Sequence, residues 1–83
     1  MVATLTQQLI QQIRSEMHGQ LSDRRRVMDH LLDIRLEMSD HPAVVSEVDR
    51  LLGDLPGLTT VENEWLGRAL DELELAVSAL PTS

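Results

Sequence analysis

The apolar residues between Asp23 and Met38 recur with the period of an α-helix, and this segment constrains the fold more than any other. At about 100° per residue they form two neighbouring stripes on one side of the helix, and the opposite side carries acidic residues and a histidine. The first stripe contains Val27, Leu31, Ile34 and Met38, and the second contains Met28, Leu32 and Leu36. One stripe is enough for the core of a small bundle, so the second predicts a partner for this helix.

Arg35 lies between the two stripes, where a charged side chain needs a partner. None of the residues three or four positions away from it is acidic, so its own helix offers no carboxylate. We therefore expect an ion pair with another helix or with a second chain, which would fix the register of that contact. The candidate carboxylates are those of Glu62, Glu72 and Glu16.

Further helices are predicted on both sides of this segment. Pro42 disfavours helical geometry at the preceding residue but suits the first position of a new helix, so the chain turns there. Residues 59–62 have the spacing of a capping box in front of the last helix. No segment alternates with period two and no internal repeat is visible, so we expect no strands. The predicted helices run from about Thr4 to His18, from Pro42 to Leu52 and from Val61 to Leu80.

Residues 4–38 are open to two interpretations. In one, Gly19 ends the first helix and Ser22 caps the next. In the other, the first helix continues without a break, because its extended phase keeps Leu9 and Ile13 on the same side as the first stripe. A continuous helix of about 35 residues would be about 50 Å long, which is too long for one small subunit to cover. It would demand a partner chain.

The chain has 83 residues and no cysteine, and we treat residues 1–83 as one domain. A domain of this size buries only about 60% of its unfolded surface, and no disulfide compensates. Self-association is the remaining source of stability, and twofold dimers are its commonest form. We expect an all-α bundle of three or four helices that forms a homodimer. The expected interface consists of Val27, Met28, Leu31, Leu32, Ile34, Arg35, Leu36 and Met38.

The formal net charge of −7 is concentrated in the second half of the chain. Residues 1–40 hold five arginines and six acidic residues, whereas residues 41–83 hold two arginines and eight acidic residues. An acidic surface repels phosphates, so we expect binding neither to nucleic acid nor to an anionic membrane. No apolar run is long enough to span a membrane, and the N-terminus lacks a signal-peptide pattern. We expect a cytoplasmic protein.

Few residues are arranged for chemistry. Of His18, His30 and His41, only His41 has a glutamate at a spacing used by zinc and di-iron sites, that of Glu37 four residues before it. The bend before Pro42 breaks this spacing and the sequence contains no Glu-x-x-His pair, so we expect neither a metal nor a cofactor. Neither a phosphate-binding glycine loop nor a pairing of nucleophile and base is visible in the sequence. We therefore assign no catalytic residue.

The function that these patterns favour is a non-catalytic protein-interaction module, an adaptor or small regulator, acting as a homodimer through the two-stripe surface. Two alternatives remain open. One is a small helical enzyme or binder that holds an anionic ligand with Arg14, Arg24 and Arg35. The other is an antitoxin or DNA-linked regulator that uses the basic segment Arg24–Arg26.

Overall fold

The structure is a computed structural model and describes residues 4–80. Helices account for 72% of it, which confirms a small all-α bundle. Its helices are α1 (Thr4–Glu16), α2 (Arg24–Glu37), α3 (Pro42–Asp54) and α4 (Asn63–Ser78), and its strands are β1 (Leu21–Asp23) and β2 (Thr60–Glu62).

The first two helices are separate, so the continuous-helix interpretation is wrong. Gly19 turns the chain after α1 with a φ of 68°, in the left-handed region that glycine tolerates. Asp23, rather than Ser22, then caps α2, because its carboxylate accepts a hydrogen bond from the backbone N–H of Arg25 at 2.9 Å. Ser22 is buried instead, and its hydroxyl donates to the side-chain oxygen of Asn63 at the start of α4.

β1 and β2 pair in an antiparallel sheet, which corrects the expectation that the chain has no strands. Ser22 lies opposite Val61 at the centre of the pair, and Val61 is fully buried. The ladder continues beyond the strands, since the backbone N–H of Asn63 donates to the carbonyl oxygen of Gln20 at 2.8 Å. Each strand has three residues, so its period-two pattern is too short to recognise in a sequence.

The two halves of the chain repeat one order of elements, which is helix, glycine-containing loop, strand, helix. Gly57 in the second loop has a φ of 77°, close to that of Gly19 in the first. Each helix packs on the next and α1 packs on α4, so the four helices form a closed ring around the core. The repeat escapes sequence inspection because it lies in the order of elements and not in recurring residues.

The first stripe of α2 points into this core. Its four residues are at most 3% exposed, and apolar residues of the other three helices and of β2 pack around them. Burial of aliphatic side chains on this scale is the main stabilising contribution in a domain without disulfides. The monomer therefore closes its own core.

The observed helix ends agree with the predicted ones in part. α3 begins at Pro42 as predicted, and it ends two residues beyond the expected Leu52. The predicted capping box does not form, because residues 60–62 form β2. Glu62 is the N-cap of α4, but its side chain makes no hydrogen bond to the backbone of that helix. Among the helices described, none is long and apolar enough to cross a membrane.

Candidate functional site

Charged side chains contact each other across every helix contact of the ring. Exposed pairs of this kind contribute about 0–1 kcal/mol each, so they align the helices more than they stabilise them. The pairs are Glu16 with Arg26 and His30 (α1–α2), Arg35 with Asp49 (α2–α3), Arg50 with Glu72 (α3–α4), and Arg14 with Asp71 and Glu74 (α1–α4).

Arg35 lies at the surface, where 47% of its side chain is exposed and its Nε donates to Asp49 Oδ1 at 2.7 Å. This hydrogen bond and the charge of Asp49 raise the pKa of Arg35. The expected pairing with Glu62, Glu72 or Glu16 is therefore wrong within the chain. The physical reason is tertiary: α3 packs against α2 and brings Asp49 to the edge on which Arg35 lies, and no local pattern specifies which helix packs there.

The three arginines that the sequence suggested as an anion pocket are held in different helix contacts. Arg14 Nη2 lies 2.8 Å from Asp71 Oδ1 and 2.8 Å from Glu74 Oε1, between α1 and α4. Arg35 is held between α2 and α3. Carboxylates already neutralise Arg14 and Arg35. The prediction of an anion pocket built from Arg14, Arg24 and Arg35 is therefore wrong.

Arg24 and Arg25 differ from the other arginines. Of the seven arginines, the other five each have a carboxylate oxygen within 4.0 Å, and no described carboxylate comes that close to these two. The Nε of Arg24 is buried and has no hydrogen-bond partner among the described residues. Both side chains line a surface cleft of about 510 Å³ together with Met28, Leu58 and Asp23, whose carboxylate caps α2. This cleft, which we call the arginine cleft, offers positive charge beside apolar surface.

Sequence reasoning missed the arginine cleft for two reasons. Leu58 lies in the loop before β2, and only the sheet brings that loop to α2, through a hydrogen bond from the N–H of Arg24 to the carbonyl oxygen of Thr59 at 3.1 Å. Arg24 did carry a local signal, because none of the residues three or four positions away from it is acidic. That signal showed an arginine without a local partner but not what lies beside it.

The two stripes of α2 have different environments. Val27, Leu31, Ile34 and Met38 lie in the core of the monomer, so half of the expected interface is not available to a partner. In the second stripe, Met28 is half-buried, Leu32 is 47% exposed and Leu36 is 76% exposed. Leu58, at 92%, extends this apolar surface beyond the N-terminal end of α2. An apolar line therefore runs along the exposed side of α2 from the arginine cleft to its C-terminal end.

Several charges of α2 run against the helix dipole, although Asp23 at its N-cap and Arg35 in its last turn follow it. A helix N-terminus favours negative charge and a C-terminus favours positive charge, by about 0.3–1 kcal/mol for each group. α2 begins with Arg24, Arg25 and Arg26, and it ends with Glu37, with Asp40 in the turn that follows. Arg26 is compensated by Glu16, but no ion pair within residues 4–80 involves Arg24, Arg25, Glu37 or Asp40. Intrahelical stability does not explain this order of charges.

A second cleft, of about 300 Å³, lies between α1 and α2. Here Glu16 Oε2 is 3.2 Å from His30 Nε2, and Glu16 Oε1 is 3.5 Å from Arg26 Nη1. Burial opposes ionisation of Glu16, but the hydrogen bond from His30 and the charges of His30 and Arg26 outweigh it and lower the pKa of Glu16. The carboxylate of Glu16 is neutralised by Arg26 and hydrogen-bonded to His30, so we interpret this cleft as a structural contact between the two helices.

Both halves contain a helix–loop–helix connection, the arrangement used by calcium-binding hands. A calcium site of that kind collects about 6–8 oxygen ligands, mostly from carboxylates of the loop. The connection between α1 and α2 contains one carboxylate, that of Asp23, which caps α2, and the connection between α3 and α4 contains one, that of Glu62. Within residues 4–80, no group of three or more His, Cys, Asp or Glu residues could hold a metal ion.

Comparisons with known proteins provide no functional assignment. No family model, no curated protein and no solved structure matches the chain. The exposed side of α2 and the arginine cleft beside it are therefore the features on which a functional interpretation rests.

Proposed function

We propose that this protein is a non-catalytic helical interaction module that self-associates through the exposed side of α2. The observation that carries the proposal is the pair Leu32 and Leu36, which lie one turn apart and expose 47% and 76% of their surface. Apolar side chains aligned on one side of a helix are covered when that helix packs on another. Charged and polar residues surround them, as at the rim of an interface.

The charges at the two ends of α2 favour a second copy of the chain as the partner. The N-terminal end carries Arg24 and Arg25, and the C-terminal end carries Glu37 and Asp40. A twofold axis across α2 places two copies of the helix antiparallel, so each positive end approaches a negative end. The order of charges that opposes the dipole of a single helix is then complementary between two copies.

The expected association is reversible. A standard protein interface buries about 800 Å² on each partner, and one exposed stripe on a helix about 20 Å long supplies less. The monomer also closes its own core, so it does not need a partner in order to fold. We therefore propose a folded monomer in equilibrium with a dimer, in place of the obligate dimer that a continuous helix would have demanded.

Sedimentation velocity over a concentration series tests this proposal. We expect the wild-type chain to shift from monomer to dimer as its concentration rises, and the double variant Leu32→Ser/Leu36→Ser to remain monomeric at every concentration. Leu75→Ser is the matched control, because Leu75 is 70% exposed on α4, away from the proposed interface. A wild-type chain that stays monomeric throughout, or a control that dissociates like the double variant, would overturn the proposal.

The two alternatives are supported less well. Binding of an anionic ligand would now depend on Arg24 and Arg25, because Arg14 and Arg35 are held by carboxylates. Binding to DNA would depend on the same two residues in a chain of net charge −7, which is too little positive surface for phosphate-driven affinity. Both alternatives predict binding of an anion or of DNA that is insensitive to the substitutions at Leu32 and Leu36.

A further inference from the structure

We infer that the arginine cleft receives the C-terminal end of α2 from a second copy of the chain. In this arrangement Leu36 of the second copy packs against Met28 and Leu58, and Asp40 of the second copy approaches the two guanidinium groups. The inference rests on the proposed self-association through α2 and adds the register and the residues of the contact.

The chemistry of the cleft defines what can occupy it. The positive charges of Arg24 and Arg25 have no carboxylate partner among the described residues, so an occupant that brings one gains a charge-assisted hydrogen bond. The apolar side is formed by Met28 and by Leu58, which is 92% exposed. A suitable occupant therefore carries a large aliphatic side chain and a carboxylate close to each other.

The C-terminal end of α2 has this combination. Leu36 is 76% exposed, and Asp40 is exposed four residues later, in the turn after the helix. No carboxylate–cation contact within the described part of the chain involves Asp40. The end of one copy therefore has an aliphatic side chain and a carboxylate that suit the apolar side and the arginines of the cleft of another copy.

The positions of these residues along α2 agree with a twofold axis at Leu32. Met28 and Leu36 lie four residues on either side of it, and Arg24 and Asp40 lie eight residues on either side. At 1.5 Å per residue the offset of Met28 and Leu36 is about 6 Å along the helix direction. Asp40 lies beyond the end of α2, in the turn after it, so the helical rise does not fix its height. In an antiparallel pair centred on Leu32, Met28 therefore lies level with Leu36 of the second copy, and Arg24 lies at the end of the pair where the turn that carries Asp40 of the second copy approaches.

The same register has an electrostatic cost. Asp29 and Asp33 lie on one edge of the exposed stripe, and no ion pair within residues 4–80 involves either of them. The twofold axis brings Asp29 of one copy near Asp33 of the other, and like charges at an interface weaken association. This contact limits the affinity, in agreement with a reversible dimer.

Complementary charge reversal tests the register. Variant one is Arg24→Glu/Arg25→Glu, and variant two is Asp40→Arg. Each alone places like charges at both ends of the dimer, so we expect its association constant to fall by about tenfold or more. In an equimolar mixture, the heterodimer has opposite charges at both ends, so we expect association within about threefold of the wild type. Sedimentation equilibrium, with one variant carrying a fluorescent label, measures all three constants.

Two controls separate this result from unfolding and from a general effect of charge. Each reversal puts the charge that the helix dipole favours at that end of α2. The midpoint of thermal unfolding of the monomeric variants should therefore not fall below that of the wild type. Arg68→Glu adds negative charge on α4, where Arg68 is exposed and paired with Glu64, and should leave dimerisation unchanged.

The outcomes distinguish this inference from the proposed function. If both reversal variants dimerise like the wild type while Leu32→Ser/Leu36→Ser does not, the register is wrong and self-association through α2 stands. If each variant alone fails to dimerise and the mixture fails as well, the proposed pairing of Arg24 and Arg25 with Asp40 is overturned. A wild-type chain that never dimerises overturns the proposed function itself.

Discussion

α2 and α4 occupy equivalent places in the two halves of the molecule, since each follows a short strand and packs on the helix before it. Their surfaces differ. α4 has Glu64 in its first turn, where the helix dipole favours it, and Arg68 Nη2 lies 2.7 Å from that carboxylate. α2 begins with three arginines and exposes two leucines one turn apart, whereas the large apolar residue exposed on α4 is Leu75.

This difference separates what a helix needs in order to be stable from what it presents to a partner. The charges of α4 are compensated within the chain, because Glu64 lies in its first turn and the acidic residues of its second half pair with Arg14 and Arg50. The order of charges on α2 and its second stripe reduce the stability and solubility of an isolated monomer. Where a sequence departs from local rules without an internal compensation, function is the expected reason.

The largest expected effect tests the division between the two sides of α2. Leu31 is 1% exposed, so Leu31→Ala should lower the free energy of unfolding by about 2–5 kcal/mol. Leu32 is 47% exposed, so Leu32→Ala should cost less than about 1 kcal/mol for the monomer. Urea unfolding at low protein concentration measures both.

The matched pair on α4 is Leu73→Ala and Leu75→Ala, because these residues are 0% and 70% exposed. We expect the same contrast in the free energy of unfolding, with a large loss for Leu73→Ala and a small one for Leu75→Ala. Similar losses for Leu31→Ala and Leu32→Ala would mean that the second stripe also belongs to the core, and the proposed docking surface would be lost.

A smaller effect on the free energy of unfolding is expected when the two loop glycines, Gly19 and Gly57, are replaced by alanine. The two substitutions test how similar the loops of the two halves are. Both have positive φ, a backbone conformation that costs roughly 1–2 kcal/mol for a residue with a side chain. A Cβ at Gly57 would also collide with the carbonyl oxygen of Thr60, whereas a Cβ at Gly19 meets no atom within 4 Å.

Gly57→Ala should therefore lower the free energy of unfolding by more than about 2 kcal/mol, and Gly19→Ala by about 1 kcal/mol. Thermal unfolding monitored by circular dichroism compares them. Equal losses for the two variants would show that the second loop relaxes to make room for the Cβ.

The smallest expected effect concerns the contact between α1 and α2. The pKa of Glu16 lies below its ordinary value of 4.5, because the contacts with His30 and Arg26 outweigh the effect of burial. A carboxyl whose pKa is lowered by folding contributes stability above its unfolded pKa, and this contribution is lost as the pH falls through the folded value.

Glu16→Gln should therefore cost less than about 1 kcal/mol at pH 6 to 7, and its difference from the wild type should shrink as the pH falls below 4.5, the ordinary pKa of a glutamate. Denaturant unfolding at several pH values measures this difference. Glu62→Gln is the control, since Glu62 is exposed, lies outside the proposed interface, and takes part in no ion pair of the described residues. A Glu16→Gln variant that gains stability on going from acid to neutral pH as the wild type does would contradict the role of this contact.

Several features of the fold followed from local sequence. The first stripe of α2 was recognisable because four apolar residues keep the helical period over one long amphipathic segment. Pro42 marked the start of α3 because proline restricts both its own backbone and that of the residue before it. The second stripe was recognisable for the same reason. That Leu32 and Leu36 of this stripe are exposed is known only from the structure.

The short sheet could not be predicted in this way. Leu21–Asp23 and Thr60–Glu62 are strands because they pair with each other across nearly forty residues of intervening chain, and three residues carry no readable alternation. The same pairing overrode the capping box at Thr59–Glu62 and moved the N-cap of α2 from Ser22 to Asp23. It also brought Leu58 to Arg24, which created the arginine cleft.

The sequence by itself determined that this protein is helical, that α2 has two apolar stripes, and that Arg35 needs a partner outside its own helix. These features depend on residues close together in the chain, where the helical period decides what shares a face. The tertiary structure alone decided which stripe is buried, that Arg35 pairs with Asp49, and that Arg24 and Arg25 are left beside Leu58. Those outcomes depend on which helices and strands become neighbours, and that is settled by packing of the whole ring rather than by any single segment.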